Sequence, residues 1–519
     1  MKLSVHAWRT LWAYHAWAGI AVGLALHLMF LCGAISVFRE PLGVWEEPVQ
    51  HRAARDTLAT SPQVLLERGL AALGDLPAIP QRLWLGLPKG RAGVARFRYT
   101  DARTSAWRAG WLEPSGRFTA ERESLATFLY HLHYLALPGL AGLAYLAGAL
   151  ALAFLLAVAT GVLIHLPYLG RQLWRFRPET GRRVLWSDLH KVLGVMGLPF
   201  QILICYTGAL VVFGPVLLTA MPGPGAGGDG DAVGQVASHE PARIGAPVGP
   251  GRQPARSLDD ALRIARAEVP GFLPLAFGVQ DLGGTRPLVR AAGLIEGEGE
   301  MSASSVLIDL STGAVLQVDT PAADLASHAT RRWLSGIHYA YFGGPAMRIV
   351  LAMLAFAACT TILTGNWIWL ARKRAVGAGG RPHLLARLTA GIGAGSIVAV
   401  AAMFVASRVL PMATAGRSAT EQAVFAGVLA ACVAWALRAR SSSAVWWQQL
   451  AAAGALLASV PLWAARVSPA GLFGGGAPIA TVVAVDLGIL VAGLALLGLA
   501  AAVRRASRAP QPSGPEAAA

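Results

Sequence analysis

Four histidines recur at matched spacing in this chain. His15 stands four residues before Gly19, 18 before Gly33 and 23 before Phe38. His190 stands four before Gly194, 18 before Gly208 and 23 before Phe213. His133-Tyr134 lies 28 residues before Gly161, His338-Tyr339 lies 27 before Gly365, and Thr160-Gly161 and Thr364-Gly365 close the two copies. An imidazole at membrane depth is expensive and needs a partner. Two imidazoles from different helices, facing across a bundle core, make an axial pair for a haem iron. Two such layers near opposite faces would be two haems b, placed to pass electrons across a bilayer. The alternative is interfacial histidines bonded to headgroups or loop carbonyls; four at repeat-equivalent positions favour ligation.

The other histidines divide by position. His165, four residues after Gly161, stands where the second copy has Trp369, and could replace His15 or His190 on the inner haem. His131 lies on nearly the opposite side of a helix from His133, so one of the two faces the core, and His133 is the one matched by His338. His27 follows His15 by 12 residues, about 18 Å along a helix axis, and its counterpart is Ile202. It reads as a satisfied core histidine, a quinone-site residue or a ligand. His6, His51, His239, His328 and His383 fall in loops or flanks and read as solvated. No residue stands out as catalytic. The chain has no H-E-x-x-H, G-x-S-x-G or Walker A pattern, and its Gly-rich "GPGAGGDG" follows no strand and opens no helix, so it reads as linker. The longest loop on the His15 side, 166–189, is too short for a dinucleotide domain. Electrons would therefore come from a quinol or a separate cytoplasmic reductase.

The elements that must position these groups are apolar helices. Of 519 residues, 55% are hydrophobic and 14% charged, and apolar runs of spanning length follow one another. Eight spans are read, at 12–35, 138–163, 190–214, 346–370, 385–408, 421–438, 444–465 and 478–502. The net charge of +16 could suggest nucleic acid, but its placement argues topology. Arg171, Arg175, Arg177, Arg182 and Arg183, then Arg372, Lys373 and Arg374, then Arg438 and Arg440, then Arg504, Arg505 and Arg508 all fall on one side of eight spans. That asymmetry puts both termini in the cytoplasm, with lipid rather than nucleic acid as the partner. The first span is too long and too polar for a cleaved signal peptide. Cys32, Cys205, Cys359 and Cys432 each lie inside a span and read as packing residues. Asp486, inside the last span, is expected to pair with Arg408 or Arg466.

Two loops, within 39–130 and 215–335, are long enough to fold. Each reads as a short amphipathic helix followed by strands: "SPQVLLERGLAALGDLP", "RLWLGL", "ARFRYT" and "WLEPSGRF" in the first, "SLDDALRIARAEVP", "LAFGVQDL", "PLVRAAG" and "VLIDLSTGAVL" in the second. Ser61 and Ser257 are candidate N-caps, and E-P-S-G and D-L-S-T-G are hairpin turns. Residues 222–255, rich in Gly and Pro, read as a flexible lead-in. The unit is thus helix, outer module, helix, used twice in one orientation, a parallel repeat. The expected organisation is a first span ending at 38, a module over 39–130, helix 131–165, inner loop 166–189, helix 190–214, linker and second module 215–335, helix 336–374, four more spans over 375–507 and a disordered tail 508–519.

Helix with leading histidine, outer module closing on D-x-x-T-G, then H-Y and T-G into the basic exit Trp369-Leu370-Ala371-Arg372-Lys373-Arg374 resembles the PepSY-associated transmembrane proteins. These are also called iron-regulated membrane proteins and include ferric-siderophore reductases of bacterial inner membranes. "FRP" at 176–178, "WSDLHKVLGVMGLPF" at 186–200 and "YTGALVVF" at 206–213 resemble one branch of that family with extra C-terminal spans. The resemblance, over about residues 10–375, implies a polytopic α-helical membrane protein. Two repeats of helix, periplasmic α+β (PepSY-like) module and helix would form a four-helix haem-binding core, with four C-terminal transmembrane helices added. It implies His15, His133, His190 and His338 as haem ligands, with His165 matching a histidine of the branch, and outward electron transfer to an Fe(III)-siderophore or similar chelate. Gln201 stands where that branch has a histidine, and the tail 385–502 has no four-helix counterpart. A PepSY-module accessory or scaffold protein of metallophore uptake, or a transporter, is the alternative reading.

Overall fold

The structure is a computed structural model that describes the chain outside residues 1–3, 48, 50–59, 75–79, 89–93, 102–105, 114–115, 138, 141, 167–176, 178–181, 221–256, 285, 324–325, 375–382, 413, 468–479 and 509–519. In chain order its first elements are α1 (Val5–Ser36), α2 (Arg39–Glu46), α3 (Pro62–Ala72), β1 (Arg82–Gly86), β2 (Ala95–Thr100), β3 (Trp107–Leu112) and β4 (Phe118–Ala120). There follow α4 (Leu125–His133), α5 (Leu143–His165), α6 (Arg182–Met196), α7 (Leu198–Ala220) and α8 (Leu258–Glu268). Strands β5 (Phe272–Gln280), β6 (Leu288–Ile295), β7 (Ser304–Asp309) and β8 (Val315–Asp319) come next. The last elements are α9 (Ala326–His338), α10 (Gly344–Arg374), α11 (Leu384–Leu388), a π-helical turn Thr389–Ala394, α12 (Gly395–Val409), α13 (Arg417–Arg438), α14 (Ser442–Val467) and α15 (Ala480–Arg508). The chain divides into two compact units, Met1–Glu46 with Ser124–Gly214 and Pro345–Ala519, and Glu47–Glu123 with Pro215–Gly344. Residues 222–255 and the last eleven residues lie outside the described residues.

The first unit is helical. Among the described residues, α1, α5, α10, the run Leu384–Val409, α13 and α15 are each long and apolar enough to cross a membrane. The third expected span, 190–214, is not one straight helix: α6 and α7 together pass the same test but meet at a 64° bend. Pro199, the second residue of α7, has no N–H and its ring clashes with the carbonyl one turn back, so the helix breaks at Gly197. The matching position of α1 is Leu24, and α1 runs unbroken. The expected span 444–465 falls on α14, which packs along α15. There Gly454 and Gly493 bring the backbones together: a Cβ on Gly493 would lie 2.7 Å from the Ala458 nitrogen. The core under α1 sets Phe30 against Phe154 at 5.4 Å and Phe200 at 6.5 Å, with the rings tilted to one another. All four cysteines are buried and unpaired in disulfides.

Residues 39–46, expected in the first module, belong instead to this helical unit as α2. Trp45 is fully buried, and its Nε1 donates to Asp486 at 2.8 Å. Arg408 lies 3.7 Å from the same carboxylate, with its guanidinium 3.8 Å over the Trp45 ring. Asp486 therefore has Arg408 as its cation, and Arg466 lies outside the described side chains. Glu46 turns the other way and accepts the backbone N–H groups of Leu125 (2.8 Å) and Ala126 (3.2 Å), the orphan donors at the start of α4.

The second unit departs from the expectation of two separate modules. Its strands form one antiparallel sheet in the order β4-β3-β2-β1-β5-β6-β7-β8. Each four-stranded half alone would leave β1 or β5 as an edge of unpaired N–H and C=O groups. Pairing them removes both edges and aligns Leu83 with Val279 and Leu85 with Phe277 over a shared core. The two helices on that core cap each other as well: Gln63 N–H donates to Asp259 and Leu258 N–H to the Gln63 amide oxygen. Ser61 and Ser257 are the N-caps, the latter in a capping box with Asp260.

Candidate functional site

The same three-part contact occurs twice at one end of the helical unit. His15 of α1 donates from Nδ1 to the Ala157 carbonyl of α5 at 2.8 Å, and His190 of α6 donates from Nδ1 to the Thr361 carbonyl of α10 at 2.8 Å. Each accepting carbonyl is one turn before the glycine of a Thr-Gly pair. A Cβ on Gly161 would lie 2.9 Å from His15 Cε1, and one on Gly365 would lie 3.1 Å from His190 Cε1. The glycine thus makes room for the ring. The threonine hydroxyl bonds back to the same carbonyl, at 3.0 Å for Thr160 and 2.9 Å for Thr364. His133 repeats the contact on α1: Nδ1 to the Met29 carbonyl at 2.7 Å, with a Cβ on Gly33 only 2.8 Å from the ring. A carbonyl acceptor assigns the proton to Nδ1 and leaves Nε2 as the nitrogen with a lone pair, the arrangement of a metal-ligating imidazole.

The rings of His15 and His190 meet, with centroids 6.0 Å apart and planes at 78°. Two nitrogen–metal bonds of about 2 Å and two ring radii of about 1 Å span about 6 Å, so the spacing fits one metal between them. Among the described residues no three or more His, Cys, Asp or Glu side chains converge on a metal position. A bare ion asks for about four protein donors, whereas a haem iron asks the protein only for axial ones. The pair fits a haem better than a bare ion. His165, the last residue of α5, lies within charge–charge range of both His15 and His190.

His133 and His338 share a local setting. Each is the last residue of its helix, followed by Tyr and then by a residue in the left-handed region, Leu135 (φ 58°) and Ala340 (φ 58°). Ala136 N–H returns to the His131 carbonyl and Tyr341 N–H to the Gly336 carbonyl, both at 2.9 Å. Both ends are Schellman turns built without glycine, the same strained device twice. His133 belongs to the helical unit and His338 to the sheet unit. His131 sits against Tyr130 and Tyr134, at 5.8 and 6.0 Å. His27 takes a different part: its Nε2 lies 3.0 Å from the Gly393 carbonyl and 3.3 Å from Ser396 Oγ, so it faces the π-helical turn of the C-terminal helices.

Residues 12–372 match the PepSY-associated TM region family. The chain belongs to that family. An uncharacterized protein of Pseudomonas aeruginosa is 27% identical over 282 residues, 50% of this chain and 66% of the relative, so the chain spans a little under two thirds of that relative's length. Family membership and the succession of long apolar helices make this a multi-pass membrane protein. The family region holds His15, His133, His165, His190 and His338, whereas Gly393, Ser396, Arg408 and Asp486 lie beyond it.

Within that region the reading of the sequence passed over Asp188, Trp45 and Glu46. Asp188, two residues before His190, is fully buried and accepts from Arg177 Nε at 3.2 Å and Lys191 Nζ at 3.0 Å. It ties Arg177 to the helix that carries His190. The signal was an acid in a basic, apolar stretch, three residues before a lysine. Glu46 and Trp45 left no comparable signal, because their partners are 79 and 441 residues away.

Proposed function

We propose that the protein binds haem b at the His15/His190 pair and a second haem b at His133, with His338 a further ligand candidate, and passes electrons through the membrane to an Fe(III) chelate of the siderophore class. What carries the reading is the doubled contact: two imidazoles 6.0 Å apart, each with Nδ1 tied to a helix carbonyl beside a glycine. The second site rests on the contact of His133 with Met29 and Gly33, and the candidacy of His338 on a Schellman turn that matches the one at His133. The haem would supply a one-electron couple. This chain's residues do the rest. Ala157, Thr361 and Met29 fix three imidazoles by their Nδ1–H groups, and Gly161, Gly365 and Gly33 admit the rings. His15 and Met29 are 14 residues apart on one helix, about 21 Å along its axis, so the two levels lie well apart within a hydrocarbon core of about 30 Å. Quinol or a separate reductase would be the donor. The test is the dithionite-reduced absorption spectrum of the purified protein. A sharp b-type α-band is expected, falling by about half in His133→Ala and again by about half in His190→Ala, in line with two sites. Absence of the band overturns the reading.

A further inference from the structure

The doubled histidine contact is symmetric, but the charge that stands beside it is not. Arg183 stands seven residues before His190 on α6, and Arg372 stands seven after Gly365 on α10. Seven residues are two helical turns, about 10 Å along the axis and within about 20° of the same face. Each arginine therefore shares a helix face with the His190–Gly365 contact, toward the end of the bundle where α1 begins and α10 ends. Trp12, one turn before His15 on α1, backs the second of them: the Arg372 guanidinium is 4.6 Å over its ring. Side chains of a helix lean toward its N-terminus, so Arg372 leans back along α10 toward Gly365. Arg183 lies within charge–charge range of Arg372. Both are exposed, and among the described residues neither is paired with a carboxylate. Asp188, the acid of α6, is held by Arg177 and Lys191. The matched positions of the first copy are Trp8 and Tyr168, so both cations come from the second copy.

We infer that Arg183 and Arg372 bind the two propionate carboxylates of the haem at His15 and His190. The inference deepens the proposed function and rests on it for the presence of that haem. A porphyrin carries both propionates on one edge, on arms whose reach from the iron is comparable with two helical turns. Guanidiniums are the side chains suited to such groups, giving charge-assisted, bidentate bonds to each carboxylate, and Trp12 restrains the Arg372 fork from swinging away. With both cations on α6 and α10, one edge of the macrocycle is selected although the two histidine contacts are alike. Topology alone asks for basic residues near the ends of the spans, not for two in heptad register with the ring contact. An anionic lipid headgroup offers the same oxyanion chemistry to the same arginines, and that register favours the haem carboxylates.

The test uses the full-length chain in nanodiscs of neutral phosphatidylcholine, loaded with haem b or with its dimethyl ester, whose propionates carry no charge. Transfer to apomyoglobin gives the rate of haem loss. Arg183→Gln and Arg372→Gln are each expected to speed loss from the His190-dependent half of the α-band by a few-fold, and the double variant by about tenfold, as for exposed charged pairs. The dimethyl ester should leave wild type and variants at one rate. Arg372→Lys, which keeps the charge and loses the fork, should fall between wild type and Arg372→Gln. Removing two positive charges beside the iron favours the ferric state, so the midpoint potential of that half should fall in the double variant. Equal effects of the variants on haem b and on its ester, or no effect on either, overturn the inference. An effect that needs added phosphatidylglycerol and is the same for both haems assigns the arginines to a lipid headgroup and overturns it as well. A wild type without any α-band removes the proposed function and this inference with it. A full band that ignores every arginine variant removes this inference alone.

Discussion

Gly33 and Gly19 lie on one helix, and the structure gives opposite signs to the same substitution at the two positions. A Cβ on Gly33 would sit 2.8 Å from both Cε1 and Nδ1 of His133, whereas a Cβ on Gly19 meets nothing within 4 Å. Ordinary carbon contacts begin at about 3.5 Å, so Gly33→Ala must push the imidazole out by roughly 0.7 Å. The Nδ1–Met29 bond, now 2.7 Å, then stretches beyond the range in which a hydrogen bond holds. Losing it costs about 0.5–1.5 kcal/mol, and a stranded buried partner adds about 1–3 kcal/mol. Alanine returns about 0.5–1 kcal/mol as the better helix former, so the net is a loss of about 0.5–4 kcal/mol. Gly19→Ala keeps only the gain. All four cysteines are buried, so a thiol-reactive fluorophore reports unfolding directly. Gly33→Ala should unfold a few degrees earlier than the parent and lose about half of the reduced α-band, the part assigned to His133. Gly19→Ala should unfold no earlier and keep the band. If Gly33→Ala behaves like Gly19→Ala in both measurements, His133 does not rest on Gly33 and the three-part contact is wrong at that end.

Two further outcomes follow from buried acids. Asp486→Ala leaves Arg408 and the Trp45 N–H without their acceptor; removing one side of a buried pair costs about 3–5 kcal/mol, and with Arg408 17% exposed the lower end is expected in thermal unfolding. In the sheet unit, burial pushes the Asp309 carboxyl up, but hydrogen bonds from Ser311 and Arg286 outweigh it and hold the group below the usual carboxylate range. A depressed folded value means stability that is full above the unfolded value of about 3.9 and lost as pH falls below it. Asp309→Asn should therefore flatten the acid limb of unfolding while leaving stability at neutral pH lower, and an unchanged limb would refute it.

Local chemistry was legible in the sequence and distant pairing was not. The N-caps Ser61 and Ser257, the strands of both modules and the D-L-S-T-G turn, where Asp309 N–H meets the Ala314 carbonyl at 2.9 Å, depend on neighbours a few residues away. The spacing of histidine to Thr-Gly was also visible, but its meaning was not, because the ring meets a glycine 146 residues distant (Gly161 against His15). The β1–β5 union joins strands from different halves of the chain, and period-two alternation gives a strand's faces but not its partner. Pro199 announced the break in the third span, yet hydropathy averages over such a residue and returns a continuous helix.

The C-terminal helices meet both copies of the repeat, through Asn366–Thr389 (3.2 Å) and Trp367–Trp446 (6.2 Å) on α10 and through His27 on α1. The counterpart of His27 is Ile202, which offers no hydrogen bond, while His27 reaches the Gly393 carbonyl and Ser396 in the π-helical turn. A π-turn leaves backbone carbonyls that the α-helical ladder does not use, and a buried imidazole needs such a partner. Each therefore satisfies the other, at a place the second copy cannot match. This fixes the sign of His27→Ile in two backgrounds. In the full chain the substitution removes one of two hydrogen bonds to the Gly393 carbonyl, the other coming from Ser396 Oγ at 3.2 Å, and should destabilise by about 0.5–1.5 kcal/mol. In a chain ended after Arg374 the imidazole loses Gly393 and Ser396 as partners, so the same substitution should stabilise. The two effects form a double-mutant cycle with a coupling term of opposite sign to the truncated-background effect, read from unfolding temperatures with the same buried thiols. If His27→Ile shifts both backgrounds in the same direction by the same amount, the histidine does not anchor the C-terminal helices on α1.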